Sequence, residues 1–200
     1  MTIASYNDLK TAVSDYIHRS DNTTAVVDQI MLGEKRIQRE VRTADMETAY
    51  TGTIASGVIA VPTDFLEWRA VYINSSVACR LEPKTWEWVL ANYPQRSADS
   101  IPKFIARNAS NFEFGPYPDS GYTVKGTYYK RLTAVSSSWN ALATANPDLY
   151  LAASLAYANA YIGDEQALKW DQLYQSIRDS LNNEAKLQDI SGAPLRMTPG

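Results

Sequence analysis

One cysteine, Cys79, leaves this chain without a partner for an internal disulfide. One histidine, His18, leaves it without a Cys/His zinc site. Positive charge is not in excess either: 19 basic residues stand against 22 acidic ones, for a net charge of -3. That balance excludes the basic field that drives sequence-independent DNA binding by counterion release. No run of eighteen apolar residues offers a membrane span, and Met1-Thr2-Ile3-Ala4-Ser5 is not a basic region followed by an apolar core. Also missing are the Gly-x-Ser-x-Gly elbow, the P-loop and a Gly-x-Gly-x-x-Gly turn. No cofactor and no metal are expected, and folding has to rest on apolar burial.

What is present suits that task. In 200 residues, 45% are hydrophobic and 20% charged, enough to remove roughly 70% of the unfolded chain's surface from water. Ser5, with Asp8 three residues on, opens a helix over about 6–19 whose apolar side is Leu9, Val13, Tyr16 and Ile17. A second helix, ending near Thr43, carries Val26, Ile30, Ile37 and Val41 on one face and Lys35, Arg39 and Arg42 on the other. From Glu47 the segments become short, β-branched or aromatic: 50–54, 58–61, 69–73, 103–106, 111–114 and 122–129 read as strands. A short helix at 85–93 interrupts them, and Pro116, Pro118, Asp119 and Gly121 make the clearest turn.

Pro147-Asp148 opens a third helix, apolar or alanine on nearly every face from Leu149 to Ile162, which belongs in the centre of a bundle. After Gly163-Asp164 a last helix shows Trp170, Leu173, Tyr174, Ile177 and Leu181 on one side. The expected class is α+β: a four-helix bundle of two N-terminal and two C-terminal helices (1–45 and 138–187), an inserted β-rich module (46–137) and a C-terminal tail (188–200).

Chemistry would require convergent groups. Glu113 with Asp119, and Asp64 with Glu67, are the paired carboxylates. Glu113 stands between Phe112 and Phe114, so a strand turns it to the face opposite both rings, the place of a solvated or paired residue. His18 reads as a solvent-facing residue of the first helix, beside Arg19 in the last turn, where a cation complements the dipole. Cys79 reads as a small apolar strand residue. The sharpest charged feature is the stripe Lys35, Arg36, Arg39 and Arg42, which Asp28, Glu34 and Glu40 offset; it is either a solvated face or a surface toward a subunit or partner. The 13 tyrosines and 5 tryptophans supply core and possess the amphipathic character of interface anchors.

Taken in order, certain segments resemble the head-to-tail connector adaptors of tailed bacteriophages. They are Ile30-Met31-Leu32-Gly33-Glu34-Lys35-Arg36 continuing to Arg42, Val61-Pro62-Thr63-Asp64-Phe65 continuing to Arg69, Ile101-Pro102-Lys103-Phe104, Phe114-Gly115-Pro116-Tyr117-Pro118-Asp119, Thr127 to Leu132, and Trp139-Asn140 with Asn146-Pro147-Asp148-Leu149. Their order and spacing carry the resemblance, which spans almost the whole chain. It implies a non-enzymatic virion protein of the neck, assembled in the host cytoplasm as a dodecameric ring. Its partners would be the portal protein, neighbouring copies of itself, and a nozzle, stopper or tail-tube protein, with genomic DNA passing through the lumen without sequence-specific contact and no membrane involved. The tail, with Ile190, Leu195, Arg196 and Met197, would be its portal-binding element, because Gly192, Pro194 and Pro199 oppose helix and the apolar residues are too few for a core. A phage-associated hydrolase and a small neck interaction or chaperone module are the alternatives.

Overall fold

Helix ends and glycines position the elements. In the computed structural model, which describes residues 2–18, 23–75, 78–97 and 99–190, the chain divides into two compact units, 1–46 with 132–200 and 47–131.

In the first unit the Ser5 hydroxyl accepts the Asp8 N–H at 3.2 Å, and the Asp8 carboxylate accepts back from the Ala4 N–H at 3.1 Å. This reciprocal cap starts α1 (Tyr6–Tyr16). The helix ends short of the expected 19, since His18 has φ 51° and lies past the C-cap in the left-handed region. His18 is therefore outside the helix, and its expected place in the last turn is corrected. Helix α2 (Thr23–Glu40) buries Val26, Ile30 and Ile37 and stops before Thr43.

After a single 3-10 turn, Ala44–Met46, the chain leaves this unit and returns at 132. Three further helices of this unit follow one in the second; in chain order they are α4 (Ala141–Ala145), α5 (Pro147–Ile162) and α6 (Gln166–Ile190). Asn140 caps α4 by accepting the Ala143 N–H at 2.9 Å. Pro147 opens α5, and Gly163, at φ 74°, closes it in the left-handed conformation that glycine tolerates.

The expected four-helix bundle is overturned. The described residues form six α-helices and two four-stranded sheets, and in the helical unit α1, α2, α4 and α6 all pack against α5. The cause lies in α5 itself: Ala152, Ala153, Ser154, Ala156 and Ala158 are buried and small, so neighbours approach from several sides. It is a hub and not one of four equal members. Gly33 is the matching feature of α2, because a Cβ there would lie 3.0 Å from the Ser154 backbone nitrogen. The two helix backbones meet where neither carries a bulky side chain.

The second unit holds β1 (Glu47–Thr53), β2 (Val58–Ala60), β3 (Phe65–Asn74), β4 (Cys79–Arg80), β5 (Glu82–Lys84), α3 (Trp86–Asn92), β6 (Phe104–Asn108), β7 (Asn111–Gly115) and β8 (Thr123–Lys130). The strand orders are β1-β8-β3-β4 and β2-β7-β6-β5. Every pairing is antiparallel except β5 with β6, in register Glu82 opposite Phe104, and α3 is the crossover such a parallel pair requires. Thr85 caps α3 through the Trp88 N–H. Gly126 of β8 has the Ala70 carbonyl oxygen where a Cβ would stand, 2.3 Å away, so the β3–β8 pairing needs glycine there. The core of this unit is Ile59, Phe65, Val71, Ile73, Ile105, Phe112, Phe114, Val124 and Tyr128. Phe65 stacks edge to face on Trp68 and Phe112, with centroids 5.0 Å apart in both pairs.

Candidate functional site

The charged stripe of α2 is the surface that the sequence singles out. The structure separates its four cations. Arg36 turns to α6: its Nε donates to Glu40 Oε1 at 3.2 Å, its Nη1 to Asp171, and its guanidinium lies 4.2 Å from the centroid of the Tyr174 ring. Glu40 accepts in turn from Arg178 Nη1 at 2.9 Å, and Arg178 Nε donates to Asp179 at 2.9 Å. A continuous chain of charge, Asp171 to Arg36 to Glu40 to Arg178 to Asp179, thus joins α2 to α6. Burial would raise the Glu40 carboxyl, but the hydrogen bond from Arg178 and the charge of Arg36 outweigh it and hold the group below its ordinary value. Burial pushes the Tyr174 phenol well above the ordinary tyrosine range, with the Glu40 charge adding to it.

Arg42 also works within the unit. Its Nη1 donates to the carbonyls of Gln38 and Val41 at 3.1 and 2.7 Å, while its backbone N–H reaches Asn182 Oδ1 at 3.0 Å. Asn182 Nδ2 donates to the Glu40 carbonyl at 3.0 Å, so α6 satisfies groups that the end of α2 leaves open. Lys35 and Arg39, one turn apart, are exposed. The structure thus commits Arg36 and Arg42 to holding α2 against its own chain and presents Lys35 and Arg39 to solvent.

Glu34, read in the sequence as part of the acid that offsets the stripe, points inward and is only 5% exposed. Its Oε1 accepts the Val135 N–H at 3.0 Å, and burial holds its carboxyl above the ordinary value. Gln38, on the same inward face, donates to the Leu132 carbonyl at 3.1 Å. These two residues pin the returning segment to α2. The signal was in the spacing: Glu34 lies four residues from Ile30 and three from Ile37, on the stripe that is buried.

Solvent-facing apolar residues flank the cations. Val27, Met31 and Leu32 are exposed on α2, as are Leu168, Leu173 and Leu187 on α6. Beside the α2–α6 contact an open groove of about 340 Å³ is lined by Ala156, Ala160, Ala167 and Leu168, and its ionisable groups, Arg36 and Asp171, are joined to each other.

The paired carboxylates have separate partners. Glu113 binds Arg96 Nη2 at 2.9 Å and Asn108 Nδ2 at 2.7 Å, on the strand face opposite the buried Phe112 and Phe114. Asp119 accepts from the Tyr122 hydroxyl at 2.6 Å. Asp64 accepts from the Tyr128 hydroxyl at 2.9 Å, and burial together with that carboxylate pushes the Tyr128 phenol up to about 12. Cys79 is half-buried in β4. Among the described residues no group of three or more His, Cys, Asp or Glu side chains could hold a metal ion, and no helix is long and apolar enough to cross a membrane.

Of the tail residues, Ile190 is the last residue of α6, which runs three residues beyond the expected end at 187. The breakers Gly192 and Pro194 come later in the sequence. Leu195, Arg196 and Met197 lie outside the described residues.

The sequence profile of a family described as SU10 adaptor protein matches residues 4–198, nearly the whole chain. No curated protein matches it.

Proposed function

We propose, because the chain belongs to the SU10 adaptor protein family and is thereby a phage adaptor protein and a virion component, that it is the head-to-tail adaptor subunit of a tailed phage. In this reading the copies form a closed, dodecameric ring in the neck, without enzymatic activity. One side of the ring binds the portal protein and the other a nozzle, stopper or tail-tube protein, and genomic DNA passes through the lumen. The family match across 4–198 is the observation that carries it.

Physical arguments support the reading. A net charge of -3 suits a conduit, because a basic lumen would neutralise phosphates and hold the duplex during ejection. A closed head-to-tail ring needs two different complementary faces on each subunit. The exposed apolar and charged residues of α2 and α6 supply candidates for both. Lys35 and Arg39 belong to the subunit or partner surface, and the segment from Ile190 through Leu195, Arg196 and Met197 is the portal-binding element. Assembly takes place in the host cytoplasm.

Gradient sedimentation of the purified chain mixed with portal protein tests this. The chain is expected to move with the portal as a stoichiometric collar, and sedimentation of the two as separate species would contradict the reading.

A further inference from the structure

Among the described residues the two sheets end in β1 and β4 and in β2 and β5, and one of these four edges differs from the rest. Three are blunted in the ways that keep an edge from templating another strand. Strands β2 and β4 have three and two residues, and β5 has three, with Pro83 between the charged Glu82 and Lys84. Strand β3 runs on past β4, but that stretch holds two register shifts and carries Glu67 and Arg69. By contrast β1 has seven residues in unbroken register with β8, and neither proline nor lysine. Its one charged residue, Glu47, is paired with Arg69, and no other charged residue follows in the sequence until Asp64.

The register shows which backbone groups this edge presents. Ile54, the residue after β1, donates its N–H to the carbonyl of Tyr122, which stands opposite it, at 2.9 Å. Opposed residues of an antiparallel pair exchange both bonds or neither, in alternation. Thr48, Tyr50 and Gly52 therefore bond β8, while Glu47, Ala49, Thr51 and Thr53 direct N–H and C=O away from it. Ala49, Thr51 and Thr53 are exposed, small and uncharged. Groups so placed have an extended backbone as their complement, and β1 itself supplies one. A second β1 laid antiparallel, with Tyr50 opposite Tyr50, brings Ala49 opposite Thr51 and Glu47 opposite Thr53. Every outward N–H then meets an outward carbonyl. The two Glu47 side chains stand at opposite ends of the pair, about 20 Å apart, whereas a parallel pairing in register sets them side by side. We infer that two copies of the free chain pair antiparallel along β1, joining their β1-β8-β3-β4 sheets into one. Such an isologous contact closes on two copies and is not the contact that repeats around a ring, so the inference stands apart from the ring proposed above. It covers the one edge that is long and plain enough to recruit further strands.

Sedimentation velocity of the full chain over a range of concentrations tests this. A monomer–dimer equilibrium is expected, and a weak one, because one strand pairing buries less than the roughly 1,200 Å² of a stable interface. Thr51→Pro removes an outward N–H and leaves the β1–β8 ladder whole, since proline is tolerated where the N–H faces out of a sheet. Thr51→Lys sets like charges on neighbouring strands. Each variant should raise the dimer dissociation constant by about tenfold or more, with an unchanged circular dichroism spectrum. The register has its own readout: in chains carrying Cys79→Ser, a mixture of the Ala49→Cys and Thr51→Cys variants should form covalent dimers on mild oxidation much faster than either variant alone. Monomer at every concentration, association that neither Thr51 variant weakens, or a mixture no faster than its components would overturn the inference. Decoration of the portal by the wild-type chain bears on the ring alone.

Discussion

Glu34 and Glu40 stand less than two turns apart on α2 and are displaced in opposite directions from an ordinary carboxyl group. Glu34 faces the core and takes one backbone hydrogen bond; Glu40 faces α6 and takes two guanidinium groups. One helix thus carries two carboxylates whose contributions to stability have opposite pH dependence.

For Glu34 the folded-state pKa lies above the unfolded one, so the folded chain binds the proton more tightly. Its contribution is fully present below the unfolded value of about 4.3 and is lost as pH rises through the folded value. Tyr6 and Tyr150 face its charge from α1 and α5, and Lys35 only partly offsets the burial. Glu34→Gln keeps an acceptor for the Val135 N–H without the buried charge. The variant should melt above wild type at pH 8 and lose that advantage by pH 4, whereas Glu34→Ala, which leaves the N–H unpaired, should cost about 1–3 kcal/mol. Thermal melts across this range decide it, and a Glu34→Gln melting curve lower than wild type at pH 8 would contradict the assignment.

For Glu40 the folded-state pKa is lowered, so its contribution is present above the unfolded value and lost as pH falls through the folded value. Glu40→Gln should reduce stability at pH 7 by no more than about 1 kcal/mol, because the pairs are partly exposed. The loss should shrink toward zero at pH 3 and in 1 M salt, where the Debye length is about 3 Å. Denaturant titrations at two salt concentrations measure it; a loss that is independent of both pH and salt would mean that packing, not charge, holds α6 to α2.

Leu155 is fully buried on the hub helix. Leu155→Ala should cost about 2–5 kcal/mol through the cavity it leaves. Leu155→Asp adds an unpaired buried carboxylate and should unfold or aggregate the chain, while Lys186→Ala, at an exposed position of α6, should be nearly neutral. A wild-type melting temperature for Leu155→Asp would remove α5 from the centre of its unit.

Truncation after Ile190 keeps the whole of α6 and removes Leu195, Arg196 and Met197. The truncated chain should keep its melting temperature yet fail to co-purify with the portal, because each docked segment contributes a weak contact that the ring multiplies. Full occupancy of portals by the truncated chain would move portal docking to the helical unit, with Lys35 and Arg39 as the first residues to alter.

Local chemistry was legible in the sequence wherever it was written in adjacent residues. Ser5, Thr85, Pro147 and Gly163 act at the helix ends as their residue types suggest, and the alternation of Phe112, Glu113 and Phe114 sorted the faces of β7. Relations between distant segments were not. The parallel β5–β6 pair depends on register across the α3 crossover, and β5, with Pro83 between two charged residues, has no strand pattern of its own. That α5 lies at the centre of its unit was legible in its apolar or small residues on nearly every face; which helices pack on it was not. For the stripe, residue type alone could not tell Arg36 and Arg42, which are used within the chain, from Lys35 and Arg39. Partners that lie more than a hundred residues away, Asp171 and Asn182, make that difference.

The central claim is that this adaptor closes into a ring at the portal. Negative-stain imaging of the purified full chain, alone and mixed with its portal protein, tests it most directly. The account predicts annular particles with a central hole on the portal face; portals that stay bare beside dispersed single subunits would contradict it.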